Sequence, residues 1–304
     1  MSAPTISAVI PTRNRPRLLQ GALASVALQD VPDLEVIVVD DASEQGAETA
    51  GVVEAFREHL QIRTIRLTHQ GGTGRARNVG VLAARGEYVA FLDDDDLWHP
   101  GKLRKQLARF QTNPRRLPRL GVVYTWHQWV DETTRRVRVR RRPRLETLDD
   151  LFRWSYNTPQ TMLIRRTCFD SVGLFDEHMP TKQDFDLLAR LIQKFQFDAV
   201  EEILVSCRDH AGPRRTDDYR ARAQGAEILL QRYARLVRDP RALREMYYSV
   251  GRLHLRAQAF DQAAVELGTA LRLARLPQKP RHLLFFALAG ARRFLAQGGR
   301  RIPA

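Results

Sequence analysis

The stretch Glu87-Tyr88-Val89-Ala90-Phe91-Leu92-Asp93-Asp94-Asp95-Asp96 decides the fold. Residues 87–92 are apolar and rich in β-formers, the signature of a buried strand. Four carboxylates follow at once. Pro100 then stands where a first helical turn would begin, and Lys102 to Phe110 has helical spacing. The acidic run therefore reads as a strand-to-helix loop at the carboxyl edge of a sheet, where open α/β folds bind ligands. Adjacent carboxylates repel and resist desolvation unless positive charge joins them, and a hard divalent cation is the usual remedy. A blander reading has Asp96 or a neighbour capping the next helix, with the others solvated.

Upstream, strand and helix patterns alternate. Ile6 to Ile10, Leu34 to Val39 and Ile62 to Leu67 read as strands. Arg17 to Gln29, Thr49 to Leu60 and Arg75 to Ala84 read as the helices between them and before Tyr88. This is the βαβ pattern of a parallel sheet with helices on both faces. The loop His69-Gln70-Gly71-Gly72-Thr73-Gly74 lacks the third glycine of a dinucleotide fingerprint and follows the third strand, not the first. Its glycines would still let backbone amides, a helix N-terminus, Arg75 and Arg77 approach a phosphate.

Downstream the pattern loosens. Leu120 to Trp129 reads as a strand, residues 147–154 as a short helix, Thr161 to Ile164 as a strand, and Arg166 to Val172 as a helix closed by Gly173. Asp184 opens a helix reaching about Lys194, and Asp198 to Val205 gives a further strand or two. Residues 135–144 hold seven arginines, alternating with Val137 and Val139. Two readings fit: a grip on phosphates or lipid headgroups, or a solvated edge strand protected by charge. From Arg220 onward the chain reads as helices.

The 304 residues carry a formal net charge of +14, almost all of the positive charge being arginine. That balance suits an anionic partner without choosing one. Cys168 and Cys207 have no metal-like spacing. No basic-then-apolar leader and no membrane-length apolar run occurs, so a reducing, cytoplasmic setting is expected.

Four segments, in order, resemble the inverting family 2 glycosyltransferases of GT-A fold, over about the first 215 residues. They are Ile6 to Asn14; Leu34 to Ser43; Gly71 to Asp96, containing Ala76-Arg77-Asn78; and Gly173 to Arg190. The resemblance implies an α/β GT-A domain over residues 1–215, an open, mostly parallel sheet with helices on both faces. An all-helical extension over 216–304 would follow. It implies that Pro11, Thr12, Asp41, Arg77, Asp93 and Asp94 bind the nucleotide, Asp41 taking the base N–H. It places Mg2+ or Mn2+ on Asp95, with Asp93 and His210 beside it, and assigns Asp184 as general base. Two departures stand out. Gln183-Asp184 replaces the usual Glu-Asp pair, and the Gln-x-x-Arg-Trp motif of processive synthases is absent after Asp184. The expected activity is therefore non-processive, metal-dependent transfer from a nucleotide-sugar, a UDP-sugar first, to a hydroxyl of a cell-envelope glycan or glycolipid. The alternatives are a sugar-phosphate nucleotidyltransferase and an inactive transferase-like scaffold. Nucleic acid is not an expected partner, because no aromatic stacking platform or helix-turn-helix is evident.

The C-terminal quarter carries a helix pair at about 244–277 that resembles one tetratricopeptide repeat, with Gly251, Ala263 and Ala270 at its small-residue positions. Residues 281–298 form a basic, apolar helix pattern. It suits either peripheral contact with an anionic cytoplasmic leaflet or burial on the domain.

Overall fold

The structure, a computed structural model, describes residues 5–44, 46–141, 143–154, 159–209 and 218–273. His210, Arg142, the basic pattern at 281–298 and the last residues of the helix pair lie outside them.

The elements run β1 (Ile6–Thr12), α1 (Pro16–Ala27), β2 (Leu34–Asp40), α2 (Gly46–Glu54), β3 (Gln61–Arg66), α3 (Gly72–Ala83) and β4 (Tyr88–Phe91). Next come β5 (Asp96–Trp98), α4 (Lys102–Thr112), β6 (Leu120–Asp131), β7 (Val137–Arg140), α5 (Leu148–Trp154), β8 (Met162–Arg165) and α6 (Thr167–Val172). The chain continues with α7 (Gln183–Lys194), β9 (Gln196–Asp209), α8 (Tyr219–Tyr233), α9 (Pro240–Arg256) and α10 (Phe260–Arg272). The strands form one nine-stranded sheet in the order β3-β2-β1-β4-β8-β6-β9-β5, with β7 paired to β6.

The sheet is mixed. β3, β2, β1 and β4 run parallel, as the βαβ alternation predicts; β8 then enters antiparallel between β4 and β6. β1, β2 and β4 are almost wholly buried, which is why they read as continuous apolar runs rather than alternating ones. Ile6, Ala8, Ile10, Val36, Val38 and Ala90 lie in one core cluster with Leu19 and Leu23 of α1. Close packing leaves no room for a methyl at Gly80 of α3, where a Cβ would stand 2.2 Å from Val9 Cγ1.

The lead from the acidic run into α4 and the bounds of α3 and α2 need correction. The acidic run does not lead straight into a helix. β5 intervenes, pairing antiparallel with β9 (Asp96 opposite Cys207, Trp98 opposite Val205), and α4 starts at Lys102 after Gly101 at φ 75°. Asp96 therefore caps nothing. α3 starts at Gly72, inside the glycine stretch, and α2 covers 46–54 rather than 49–60. Of the strand or two expected near Asp198, the structure has one, β9, longer than expected.

The chain divides into two compact units. One comprises residues 1–146, 157–177 and 186–212; the other comprises residues 147–156, 178–185 and 213–304. The first holds the sheet. In the second, the Phe152 ring lies 4.9 Å from Phe185 and 5.9 Å from Tyr233. Asp149 accepts from the Arg238 amide at 2.9 Å, and Arg153 pairs with Asp239. Gly251 lets α9 approach α10, since a Cβ there would lie 2.7 Å from Leu267 Cγ. Ala263 and Ala270 are fully buried beside Leu267.

Candidate active site

The carboxyl ends of parallel β1, β2 and β4 meet at one edge of the sheet, and hydrogen bonds lock the loops that leave them. The Asp41 amide donates to Thr12 O at 2.9 Å. The Asn14 amide donates to Ser43 Oγ at 2.9 Å, and the Glu44 amide returns a bond to Asn14 Oδ1 at 2.7 Å. Asn14 has φ 53°, a left-handed conformation that asparagine tolerates better than most residues.

Asp41 is buried, and both of its oxygens accept backbone amides: Gly71 N at 2.7 Å and Gly72 N at 2.9 Å. These are unpaired donors at the start of α3, so Asp41 caps that helix from a position thirty residues away. The charge sits at the positive end of the helix dipole.

One turn further along, α3 presents Arg77 and Asn78. Arg77 is buried, lies 5.5 Å from the Phe175 ring centroid, and donates to Asp93 Oδ1 at 2.5 Å. Asn78 is a staple. Its Nδ2 donates to Phe175 O at 2.9 Å and Glu177 Oε1 at 2.7 Å, and its Oδ1 accepts the Phe175 amide at 2.8 Å.

The acidic run alternates. Asp94 and Asp96 are buried, while Asp93 and Asp95 are partly exposed. Thr12 Oγ1 donates to Asp94 Oδ2 at 2.8 Å. Arg15 Nη1 bridges Asp94 Oδ1 at 3.3 Å and Asp95 Oδ2 at 3.1 Å. Gln160 Nε2 donates to Asp93 Oδ2 and, at 2.8 Å, to Asp96 Oδ2. The Arg208 amide donates to Asp96 Oδ1 at 3.0 Å, and Arg208 Nε reaches Asp95 O at 2.7 Å. Burial, reinforced by the charge of Asp95, pushes the Asp94 carboxyl up to about 7, and the same two causes hold Asp96 well above the usual carboxylate range. Burial and the nearby Asp96 also push the Cys207 thiol well up.

Asp93, Asp95 and Asp96 each offer one oxygen, and the three oxygens lie within 4.8 Å of one another. An all-oxygen, multiply anionic donor set is the kind that hard divalent cations take.

Pro11, Thr12, Asp41, Arg77, Asp93, Asp94 and Asp95 thus come together on one sheet edge. Two of them have inward tasks that the sequence did not show: the Thr12 hydroxyl serves Asp94, and Asp41 serves the glycine amides. Asp184 lies on the first turn of α7, half-buried, with its Oδ1 accepting the Phe185 amide at 2.8 Å. Arg15, Asn78, Gln160 and Arg208 are site residues without a role in the sequence reading. Asn78 lies inside one of the four motif segments and Arg15 directly follows another, so proximity could have flagged them; Gln160, in a motif-free region, had no such signal.

Fold and site together define a nucleotide-diphospho-sugar transferase type of domain, with the GT-A order of strands and an acidic loop after the fourth. The sequence says which. Residues 7–173, over half of the chain, match the model of Glycosyl transferase family 2, and the protein belongs to that family. An uncharacterized glycosyltransferase of Rickettsia felis is 26% identical over 216 residues, 68% of this chain and 35% of that protein. The poly(ribitol-phosphate) beta-N-acetylglucosaminyltransferase TarS of Staphylococcus aureus is 41% identical over 105 residues, 34% of this chain and 18% of that protein. The chain thus spans well under two thirds of the length of either relative. A TarS fragment, residues 1–349, solved in complex with UDP-GlcNAc, superposes with TM-score 0.61 at 19% identity, covering 97% of this chain and 92% of that one. The mannosyltransferase PcManGT of Pyrobaculum calidifontis, solved with GDP-Man and Mn2+, superposes with TM-score 0.56 at 20% identity, covering 99% and 89%. At these identities the structural likeness is one of fold. No helix among the described residues is long and apolar enough to cross a membrane.

Proposed function

We propose that the protein moves one sugar at a time from a nucleoside-diphosphate donor to a hydroxyl of a cell-envelope glycan or glycolipid, by a single inverting displacement. The observation that carries the reading is the convergence of the Asp93, Asp95 and Asp96 oxygens within 4.8 Å, beside Arg15 and Arg77, at the carboxyl edge of the parallel strands. A UDP-sugar is the first donor to test: the Asp41 segment resembles the uridine-binding strand end of the family, and TarS binds UDP-GlcNAc. TarS, named as a poly(ribitol-phosphate) beta-N-acetylglucosaminyltransferase, supports a polymer as acceptor.

Asp95 and Asp93, with Asp96 behind them, would hold Mg2+ or Mn2+. His210 joins them on the resemblance alone. Mn2+ in PcManGT supports the assignment. When bound, such a cation supplies Lewis-acid neutralisation of the charge that builds on the departing diphosphate. The protein's own groups do the rest. Pro11, Thr12 and Asp41 form the floor on which the nucleotide rests. Arg15 and Arg77 are fixed positive charges beside the phosphates, oriented before the reaction by the carboxylates they already touch. Asp94, buried behind Thr12 and Arg15, fixes the loop. Asp184 takes the proton of the acceptor hydroxyl as that oxygen attacks, so no second carboxylate is needed as a covalent nucleophile. Residues 1–215 would carry this chemistry, and the basic segment at 281–298 would touch the cytoplasmic face of a membrane.

The test is a panel of UDP-, GDP- and dTDP-sugars with Mn2+ or Mg2+, reading nucleotide binding, released nucleotide and donor hydrolysis. Asp184→Asn should bind nucleotide normally yet lose transfer by roughly 10²- to 10⁴-fold, the range of general-base catalysis. Transfer at the wild-type rate would remove Asp184 from the mechanism. Absence of cation-dependent nucleotide binding in the wild type would remove the donor site.

A further inference from the structure

β7 is an exposed strand whose residues alternate Val137, Arg138, Val139, Arg140. It pairs antiparallel with β6, Arg138 standing opposite Trp129. On the other side of β6, Trp129 stands opposite Cys207 of β9, and Cys207 stands opposite Asp96 of β5. Arg138, Trp129, Cys207 and Asp96 therefore form one row across four strands. Directly paired residues point to the same face of a sheet, and alternate residues along a strand share a face. Arg136, Arg138 and Arg140 accordingly face the side on which Asp96 enters the acidic cluster. Val137 and Val139 face the other side. Three inter-strand spacings of about 4.8 Å put the backbone of Arg138 about 14 Å from that of Asp96.

Among the described residues Arg136, Arg138 and Arg140 form no close ion pair. In the same stretch Arg144 pairs with Glu201 at 3.5 Å, and Arg141 lies 5.8 Å from the Trp126 ring centroid. The acids of the adjoining turn are shared: Asp131, whose charge reaches Arg138, also accepts the Thr133 and Thr134 amides at 3.0 and 2.8 Å, and Glu132 lies 3.5 Å from Arg208. Charge protects an edge strand against pairing wherever on the strand it falls. This one repeats charge at a two-residue period along a single face that leads to the site.

We infer that the β6–β7 hairpin binds the acceptor, and that the acceptor is a soluble polymer carrying phosphate groups along its length. Guanidinium groups grip phosphate oxygens through paired, charge-assisted hydrogen bonds. Half-buried Trp129, between hairpin and carboxylates, provides an apolar surface for the sugar or polyol units that span the gap. A lipid surface fits less well, because the valines that would enter it face away from the arginines. The inference deepens the transferase reading and rests on it, since it names the substrate class of the same site.

The test uses the full chain and fluorescently labelled linear inorganic polyphosphate, read by anisotropy over a salt series. Arg136→Gln/Arg138→Gln/Arg140→Gln is compared with a charge-matched control, Arg57→Gln/Arg104→Gln/Arg119→Gln, at exposed positions elsewhere. The wild type and the control should bind alike, and the hairpin variant roughly tenfold or more weakly, with a shallower salt dependence. Should the triple variant not fold, Arg138→Gln alone gives the same comparison with a smaller loss. Equal weakening in both triples, or no binding by the wild type, overturns the inference. So does capture by phosphatidylglycerol vesicles that the hairpin variant loses while polyphosphate binding is unchanged. Nucleotide binding by the wild type, measured alongside with UDP and Mn2+, reports separately on the donor site.

Discussion

Arg15 offers a test in which two readouts should move in opposite directions. Its Nη1 lies 3.3 Å from Asp94 and 3.1 Å from Asp95, and its side chain is 31% exposed. At that exposure each pair contributes about 0.5–1 kcal/mol, so Arg15→Gln should cost the cation-free protein about 1–2 kcal/mol. A loss of that size lowers the melting temperature by about 2–4 °C per kcal/mol. The same guanidinium competes with a dication for Asp95. Freeing Asp95 from this pair, about 0.5–1 kcal/mol, should tighten Mn2+ binding by roughly 2- to 5-fold. Calorimetric titration of the intact protein with Mn2+ reads the second quantity without any turnover, and differential scanning calorimetry reads the first. If Arg15→Gln binds Mn2+ no more tightly than the wild type, Arg15 and a cation do not share these carboxylates, and the assignment of the cluster as a metal site loses its main electrostatic argument.

Two further substitutions probe the frame around the site. Asn78→Ala strands the buried amide and carbonyl of Phe175 and should cost about 2–4 kcal/mol in urea unfolding; a loss under about 1 kcal/mol would mean the segment repacks without the staple. Lys102 is fully buried, donates to Gln106 at 2.8 Å, and lies 4.3 Å from the Trp98 ring centroid; burial pulls its ammonium well below its ordinary range. The unfolded chain then binds that proton more readily than the folded one, so wild-type stability rises with pH between the folded and unfolded values of this lysine. Lys102→Met lacks that slope. Its stability relative to the wild type should increase as pH falls below about 10 and level off below the depressed value, and parallel melting curves from pH 6 to pH 10 would contradict the assignment.

The parallel half of the sheet was legible because β1, β2 and β4 are continuous apolar runs that end in polar loops. What stayed hidden was contact across distance. α3 has no local cap in its sequence, so the spacing predicts a start at Arg75. Its true start, Gly72, depends on the carboxylate of Asp41 in the loop after β2. β5 is three residues long, and Leu97-Trp98 before Pro100 looks like a helix lead-in until β9 pairs with it. Gln160 lies 64 residues from Asp96 and belongs to no motif, yet its one amide nitrogen holds two of the four carboxylates. Sequence periodicity reports which face a residue takes. It does not report which distant partner satisfies it.

Burial along the acidic run explains why the motif needs the residues between its ends. The run is a tight turn, closed by the Asp96 amide donating to Asp93 O at 3.0 Å. Within it Asp94 and Asp96 are buried, while Asp93 and Asp95 stay partly exposed. The inward pair cannot remain fully charged at no cost, and the structure meets the cost differently at each. Asp94, pushed up to about 7, can carry a proton near neutrality while Thr12 and Arg15 hold it. Asp96 is held by the Arg208 amide and by Gln160. Anchored this way, the outward pair stays close together despite mutual repulsion, each oriented by an arginine: Arg77 on Asp93 and Arg15 on Asp95. A loop of two carboxylates without the buried two would relieve that repulsion by splaying apart. The inward aspartates are therefore what turns two exposed acids into a preorganised site, and their burial is as much a part of the chemistry as the exposure of their neighbours.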